Sequence, residues 1–210
     1  MIRRFGLLSV LAGFALSAVA SPAGAGVTLG QLAPALPDSC NNNVDFVQFS
    51  LSSGTSYVVP EAGSITSWAT KGNLDSGQQL TLKVFRKLAG PNTYQVVGHE
   101  GPRAIVPNTT AGNAFFANIP VKPGDILGVH SNSPFAPCAF AVPAADQIAL
   151  AAASNIPDGG TGALIPSPGN TRINLTAVLQ PSNTFTLGNA QLNKRGARRR
   201  STSPFRTPAS

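Results

Sequence analysis

The sequence predicts an all-β protein: an antiparallel two-sheet sandwich, jelly-roll-like, with an export signal before it and a disordered C-terminal tail after it. Three observations predict this. Short apolar runs with period-2 alternation recur along the chain, bounded by turn residues. Charged residues make up only 11% of a chain rich in Gly, Pro, Ser, Thr and Asn, a composition that suits many strands joined by tight turns. No segment shows a convincing helical stripe.

The first segment, residues 1–25, reads as a signal peptide. Arg3 and Arg4 form a basic start, and an apolar run from Phe5 follows. Small residues then offer two cleavage sites, Ala18-Val19-Ala20 and Ala23-Gly24-Ala25, of which the second leaves Gly26-Val27-Thr28-Leu29 as the mature start. The apolar run is shorter than the ~20 residues that a bilayer span needs. Removal of the signal leaves about 185 residues, enough for one domain with a sizeable core. The expected location is secreted or cell-surface, with no stable membrane span after cleavage.

The domain itself is expected over residues 26–180. Residues 26–43 read as an irregular entry containing Pro34, Pro37 and three consecutive asparagines. Strands are expected at 44–51, 56–59, 63–70, 79–86, 94–99, 104–106, 114–119, 126–130, 138–142, 147–152 and 172–179. The clearest is Gln79 to Arg86, where Leu80, Leu82 and Val84 face one way and Thr81, Lys83 and Phe85 the other. Gly90-Pro91-Asn92 suggests a hairpin to the following strand, and Pro123-Gly124 has the signature of a type II turn. Asp146 to Ser154 is Ala-rich, and strand and helix are nearly even there.

Several of these runs carry a resemblance. They are Gly54 to Pro60, Gly63 to Trp68, Gly77 to Arg86, Val97 to Pro102 and Pro120 to Gly128. Together they resemble a group of secreted actinobacterial β-sandwich proteins of unknown function. The resemblance spans about residues 26–179. It implies export and a β-sandwich, and it supplies no activity.

Charge and cysteine content narrow the function classes. The formal charge is +7, with 15 basic and 8 acidic residues. Two of the basic residues lie in the signal, and Lys194, Arg195, Arg198, Arg199, Arg200 and Arg206 lie near the end. The body between them is close to neutral, so nucleic acid is not an expected partner of the folded domain. Cys40 and Cys138 are the two cysteines, and in an exported protein the default is one disulfide.

Candidate site residues are few. Trp68 and Tyr94 could form a sugar-stacking platform, although a lone tryptophan in a small β-domain more often belongs to the core. His99, Glu100, Asp125 and His130 are the weak candidates for metal or acid/base chemistry. Their spacing does not provide the three protein ligands and open position that a catalytic zinc needs. Asp125, directly after Pro-Gly, reads more simply as a turn residue whose carboxylate accepts local backbone bonds. Asp158-Gly159-Gly160-Thr161-Gly162 offers one carboxylate, too little for calcium, and reads as a flexible turn. No nucleophile elbow, zinc motif or phosphate loop occurs. No catalytic residue, metal or cofactor is therefore assigned.

The leading reading is a non-catalytic module, structural or ligand-binding, with a cell-wall glycan as the specific form of its partner. A hydrolase with an unrecognised site is one alternative; an envelope or nucleic-acid binder acting through the basic tail is another. Residues 181–195 read as a linker or the start of a truncated second β-module, resembling a small Ig-like module of the same lineage. Residues 196–210 read as a basic tail. Codons can be chosen for this tail so that a shifted frame encodes an alternating strand and turn that continue that module. An out-of-frame tail is thus the first reading, and a genuine basic anchor the second.

Overall fold

A computed structural model describes residues 25–108, 112–143, 145–152, 154–167 and 169–182. Among the described residues there is no helix. Fourteen strands run in chain order: β1 (Val27–Gln31), β2 (Asp38–Cys40), β3 (Val44–Ser50), β4 (Gly63–Thr70), β5 (Gln79–Lys87), β6 (Thr93–Ala104) and β7 (Asn113–Val121), then β8 (Ile126–Ser131), β9 (Ala136–Ala141), β10 (Gln147–Ala152), β11 (Thr161–Ala163), β12 (Ile165–Ser167), β13 (Thr171–Ile173) and β14 (Leu175–Pro181). Residues 1–24 of the signal segment and the C-terminal tail lie outside the described residues.

All strand pairs are antiparallel, and they form three sheets where two were expected. One has the order β1-β14-β4-β7, and a small one has the order β13-β9-β2. The largest has seven strands, in the order β11-β6-β5-β8-β3-β10-β12. Its two edge strands, β11 and β12, are separated in the chain by Leu164 alone. The sheet therefore curls until its edges nearly meet.

That curl gives the large sheet two buried faces. One faces the main core, with Val44 and Phe46 from β3, Leu80, Leu82 and Val84 from β5, and Leu127 and Val129 from β8. Trp68, Ile65, Leu175 and Leu179 meet them from the four-stranded sheet. The inner face of the curl holds a second, smaller core of Val47, Phe85, Tyr94, Val96, Ala149, Ile156 and Leu164. Period-2 alternation sends neighbouring residues of one strand to different cores. Ile148 enters the main core and Ala149 the second, so β10 forms as a strand buried on both faces, and its Ala-rich sequence does not become a helix.

Cys40 and Cys138 form the expected disulfide, which joins β2 to β9 across 98 positions. A closed loop of that length contributes about 4–5 kcal/mol in the chain-entropy model. A disulfide is compatible with an oxidising, extracellular location. Asn174, between β13 and β14, is a second staple. Its amide donates to Thr70 Oγ1 at 3.1 Å and to the carbonyls of Lys71 and Pro137 at 2.7 Å each, while its Oδ1 accepts from Ala33 N at 3.0 Å.

Several sequence expectations differ from the fold. The separate runs at 94–99 and 104–106 are one strand, β6, which ends at Ala104, and the run at 172–179 is divided at Asn174 into β13 and β14. The entry segment is not irregular throughout: it contains β1, which pairs with β14 from Val27↔Leu179 to Gln31↔Leu175, and β2. Residues 56–59 make only a bridge, Val58 to Ile126. There the Tyr57 hydroxyl donates to Ile173 O at 2.5 Å and Val59 N to Asp125 O at 2.7 Å, which pins the segment without a ladder. The turn expected at Asp158 forms, with Gly160 N donating to Pro157 O at 2.9 Å, and the stretch then leads into β11 and β12, which were not expected. The hairpin β5–β6 and the Lys122–Asp125 turn form as read; Gly124 sits at φ +86°, where only glycine is relaxed, and Asp125 N donates to Lys122 O at 3.1 Å.

Candidate functional site

The candidate site lies on the inner face of the curled sheet, beside the second core. Thr81 and Lys83 alternate with the apolar residues of β5 and point into the curl. In register, Lys83 stands opposite His99 of β6, and Thr81 opposite His130 of β8, which is itself opposite Asp45 of β3. Five polar side chains thus share one sheet face.

Two layers can be distinguished. The deep layer is an ionic cluster: Asp45, Lys83 and His130 are all at most 3% exposed. Lys83 Nζ donates to Asp45 Oδ1 at 2.7 Å, to Asn155 Oδ1 at 2.8 Å and to Ile156 O at 2.8 Å. Asp45 Oδ1 also lies 3.0 Å from His130 Nδ1, and its Oδ2 accepts from Ile156 N at 2.8 Å. Every proton of the ammonium has an acceptor, which is what lets a charge sit so deep. Burial nevertheless holds the Lys83 ammonium below the ordinary lysine range, against the pull of Asp45.

The upper layer is an open cleft of about 450 Å³, and its polar wall is Thr81, Lys83, His99, Asn132, Asn155 and Asp158. Thr81 Oγ1 donates to Asn132 Oδ1 at 2.7 Å, and His99 Nδ1 lies 2.8 Å from Asp158 Oδ1. Asn132 Nδ2, His99 Nε2 and Asp158 Oδ2 have no protein partner among the described residues. Pro102 and Pro157 give the wall its apolar patches. Gly101 makes the bend into Pro102 at φ +121°, and a Cβ there would lie 3.1 Å from Thr81 Cα. A side chain at this position would thus strain the backbone and push on the floor of the cleft.

The aromatic pair has another role. Trp68 and Tyr94 are each 1% exposed, so neither forms a sugar-stacking platform. Trp68 fills the main core against Phe115, with ring centroids 4.8 Å apart, and its indole N–H donates to Glu100 Oε2 at 2.6 Å. Tyr94 belongs to the second core. The most exposed aromatic described is Phe116, at 89% on the edge strand β7.

The four acid/base candidates also separate. Glu100 is committed to Trp68 and to Arg103 Nε, at 2.7 Å. Asp125 is the turn residue the sequence suggests, accepting from Lys122 N at 2.8 Å, and it also takes a two-pronged ion pair from Arg86 at 2.7 and 2.8 Å. His99 and His130 share a sheet face but stand on opposite sides of β5, two residues out of step. Among the described residues no three of His, Cys, Asp and Glu are grouped to hold a metal ion.

Asp45, Lys83, Asn132 and Asn155 were not singled out in the sequence. One signal was available: Lys83 interrupts the apolar series on a strand whose both faces are needed for packing. Its carboxylate partner, Asp45, lies 38 positions earlier on a strand two places away in the sheet, and nothing local marks it. The chain matches no protein-family model, no curated protein and no solved structure.

Proposed function

We propose that this is a secreted or cell-surface β-sandwich of jelly-roll type that binds a hydroxyl-rich ligand, a glycan, in the cleft above Lys83 and performs no chemistry on it. One observation carries the reading: the free atoms of the cleft wall include a donor, Asn132 Nδ2, and an acceptor, Asp158 Oδ2, with His99 Nε2 able to serve as either. Neighbouring sugar hydroxyls each donate and accept, so a wall with both kinds of group suits them. Pro102 and Pro157 offer C–H surface for the ring, the part that exposed aromatics play in other sugar sites.

A glycan-array screen of the protein tests this. Neutral, hydroxyl-rich glycans are expected to be retained. The double variant Asn132→Ala/Asp158→Ala is expected to lose affinity by at least about tenfold, since each lost bond is worth about 1 kcal/mol. A blank array removes the reading. The hydrolase alternative keeps one favourable observation, the His99–Asp158 pair, which orients an imidazole at the cleft. Turnover of glycosides or esters that disappears in His99→Gln would favour it over simple binding. The tail-based alternative falls on residues 196–210, outside the described residues.

A further inference from the structure

We propose that Lys83 and Asn155 become joined by an intramolecular amide bond, formed with Asp45 as the proton-transferring group and with release of ammonia. The reacting groups are already together. Lys83 Nζ is 2.8 Å from Asn155 Oδ1, so the amide carbon lies one bond beyond, and Asp45 Oδ1 is 2.7 Å from the same nitrogen. Contact of this kind, with Lys83 and Asp45 fixed by the sheet and Asn155 on the adjoining segment, replaces a bimolecular encounter with an internal one. Lys83 and Asp45 are 2% and 0% exposed, whereas Asn155 is exposed, so the nucleophile is shielded from water while the leaving nitrogen has a way out.

The step balances within these three side chains. The Lys83 ammonium passes a proton to the Asp45 carboxylate, and the free amine attacks Asn155 Cγ, forming the C–N bond. Asp45 relays protons from the amine nitrogen to Asn155 Nδ2, the C–Nδ2 bond breaks, and the nitrogen leaves as ammonium. One proton stays on the new amide, and Asp45 returns to its carboxylate form. No oxidant or external reagent is needed. Two features favour the reaction: burial, which lowers the affinity of Lys83 for its proton, and the hold on Asp45 by His130 Nδ1 and Ile156 N, which fixes the relay. The product would tie the centre of the seven-stranded sheet to the segment between β10 and β11, 72 positions away. It is independent of whether the cleft binds a glycan.

The test is the mass of the disulfide-reduced, purified protein. It is expected to be lighter than its sequence by one ammonia, about 17 Da, with a proteolytic fragment in which Lys83 and Asn155 are linked. Lys83→Arg, which keeps a cation beside Asp45, and Asn155→Ala are each expected to restore the full mass, as is Asp45→Ala. A parent protein of full mass whose chain is cut by trypsin after Lys83 overturns the proposal. So does an ammonia loss that persists in Lys83→Arg, because it then comes from another asparagine. The parent measurement decides even if a variant fails to fold.

Discussion

Two of the buried ion pairs among the described residues differ in their cation, lysine in one and arginine in the other, and the difference governs what each can do. In one, Lys83 meets Asp45 inside the curled sheet. In the other, Arg172 of β13 meets Asp146 beside the main core, and both members are almost wholly buried. Arg172 is held as a fork: its Nε donates to Asp146, its Nη1 to Gln31 Oε1 at 2.8 Å and its Nη2 to Ser53 Oγ at 3.2 Å. Ser52 N adds a bond to Asp146 at 2.6 Å. A guanidinium keeps its proton in any folded protein, so this pair can only brace. An ammonium gives up its proton when burial presses on it, so the Lys83 pair can react. The two are built of similar parts, one inert and one poised.

The comparison is sharpest in a chain carrying Asn155→Ala, where Lys83 stays an amine. The largest effect is expected from Asp45→Ala in that chain. It strands the Lys83 ammonium and frees His130 and Ile156 N at once, at a cost of about 3–5 kcal/mol in urea unfolding at neutral pH. Arg172→Ala is expected to cost less, about 2–3 kcal/mol, because Asp146 keeps its Ser52 bond. Equal losses would show that the two pairs contribute alike.

Changing pH separates them by sign. Burial alone would raise the Asp146 carboxyl, but its bonds to Ser52 and Arg172 overcome this and hold it below the ordinary carboxylate range. Its contribution is thus present above about pH 4 and is lost as acid titrates the folded form. Lys83 is also lowered, so the unfolded chain holds that proton more tightly. Its burden on stability is present at neutral pH and lifts as pH rises through its folded value toward about 10.4. The buried tyrosines Tyr57 and Tyr94, both raised by burial, oppose this near their own ionisation. Subtracting the profile of Asn155→Ala/Lys83→Met removes their part. A flat difference between neutral pH and pH 10 would contradict the account of Lys83.

The smallest effect is expected at the exposed pair. His99 and Asp158 are each about half exposed, so His99→Ala is expected to change unfolding by less than about 1 kcal/mol. A larger loss would mean that the pair braces the cleft.

The reach of sequence reasoning follows the range of the contacts. β5, β7, β8, the first half of β6 and the turn at Gly124 were legible because alternation and turn chemistry are local; Gly101 and Pro102 hid the continuation of β6 to Ala104. β1 was not: its ladder among the described residues is to β14, nearly 150 positions later, and Gly30 interrupts its pattern. β11 and β12 were missed because three-residue strands are too short to alternate visibly. The site divides in the same way. Asp125 was read correctly from its turn, whereas the Asp45–Lys83–Asn155 cluster is assembled from three strand-distant positions. Trp68 lies in the core, as a lone tryptophan more often does, whereas alternation does not say whether the face that carries Tyr94 is covered.

The pairing of β1 with β14 also sets an order of events. Val27 has its partner at Leu179, so the four-stranded sheet cannot be completed until Leu179 has been added to the chain. A growing chain holds β1 without its β14 ladder until then.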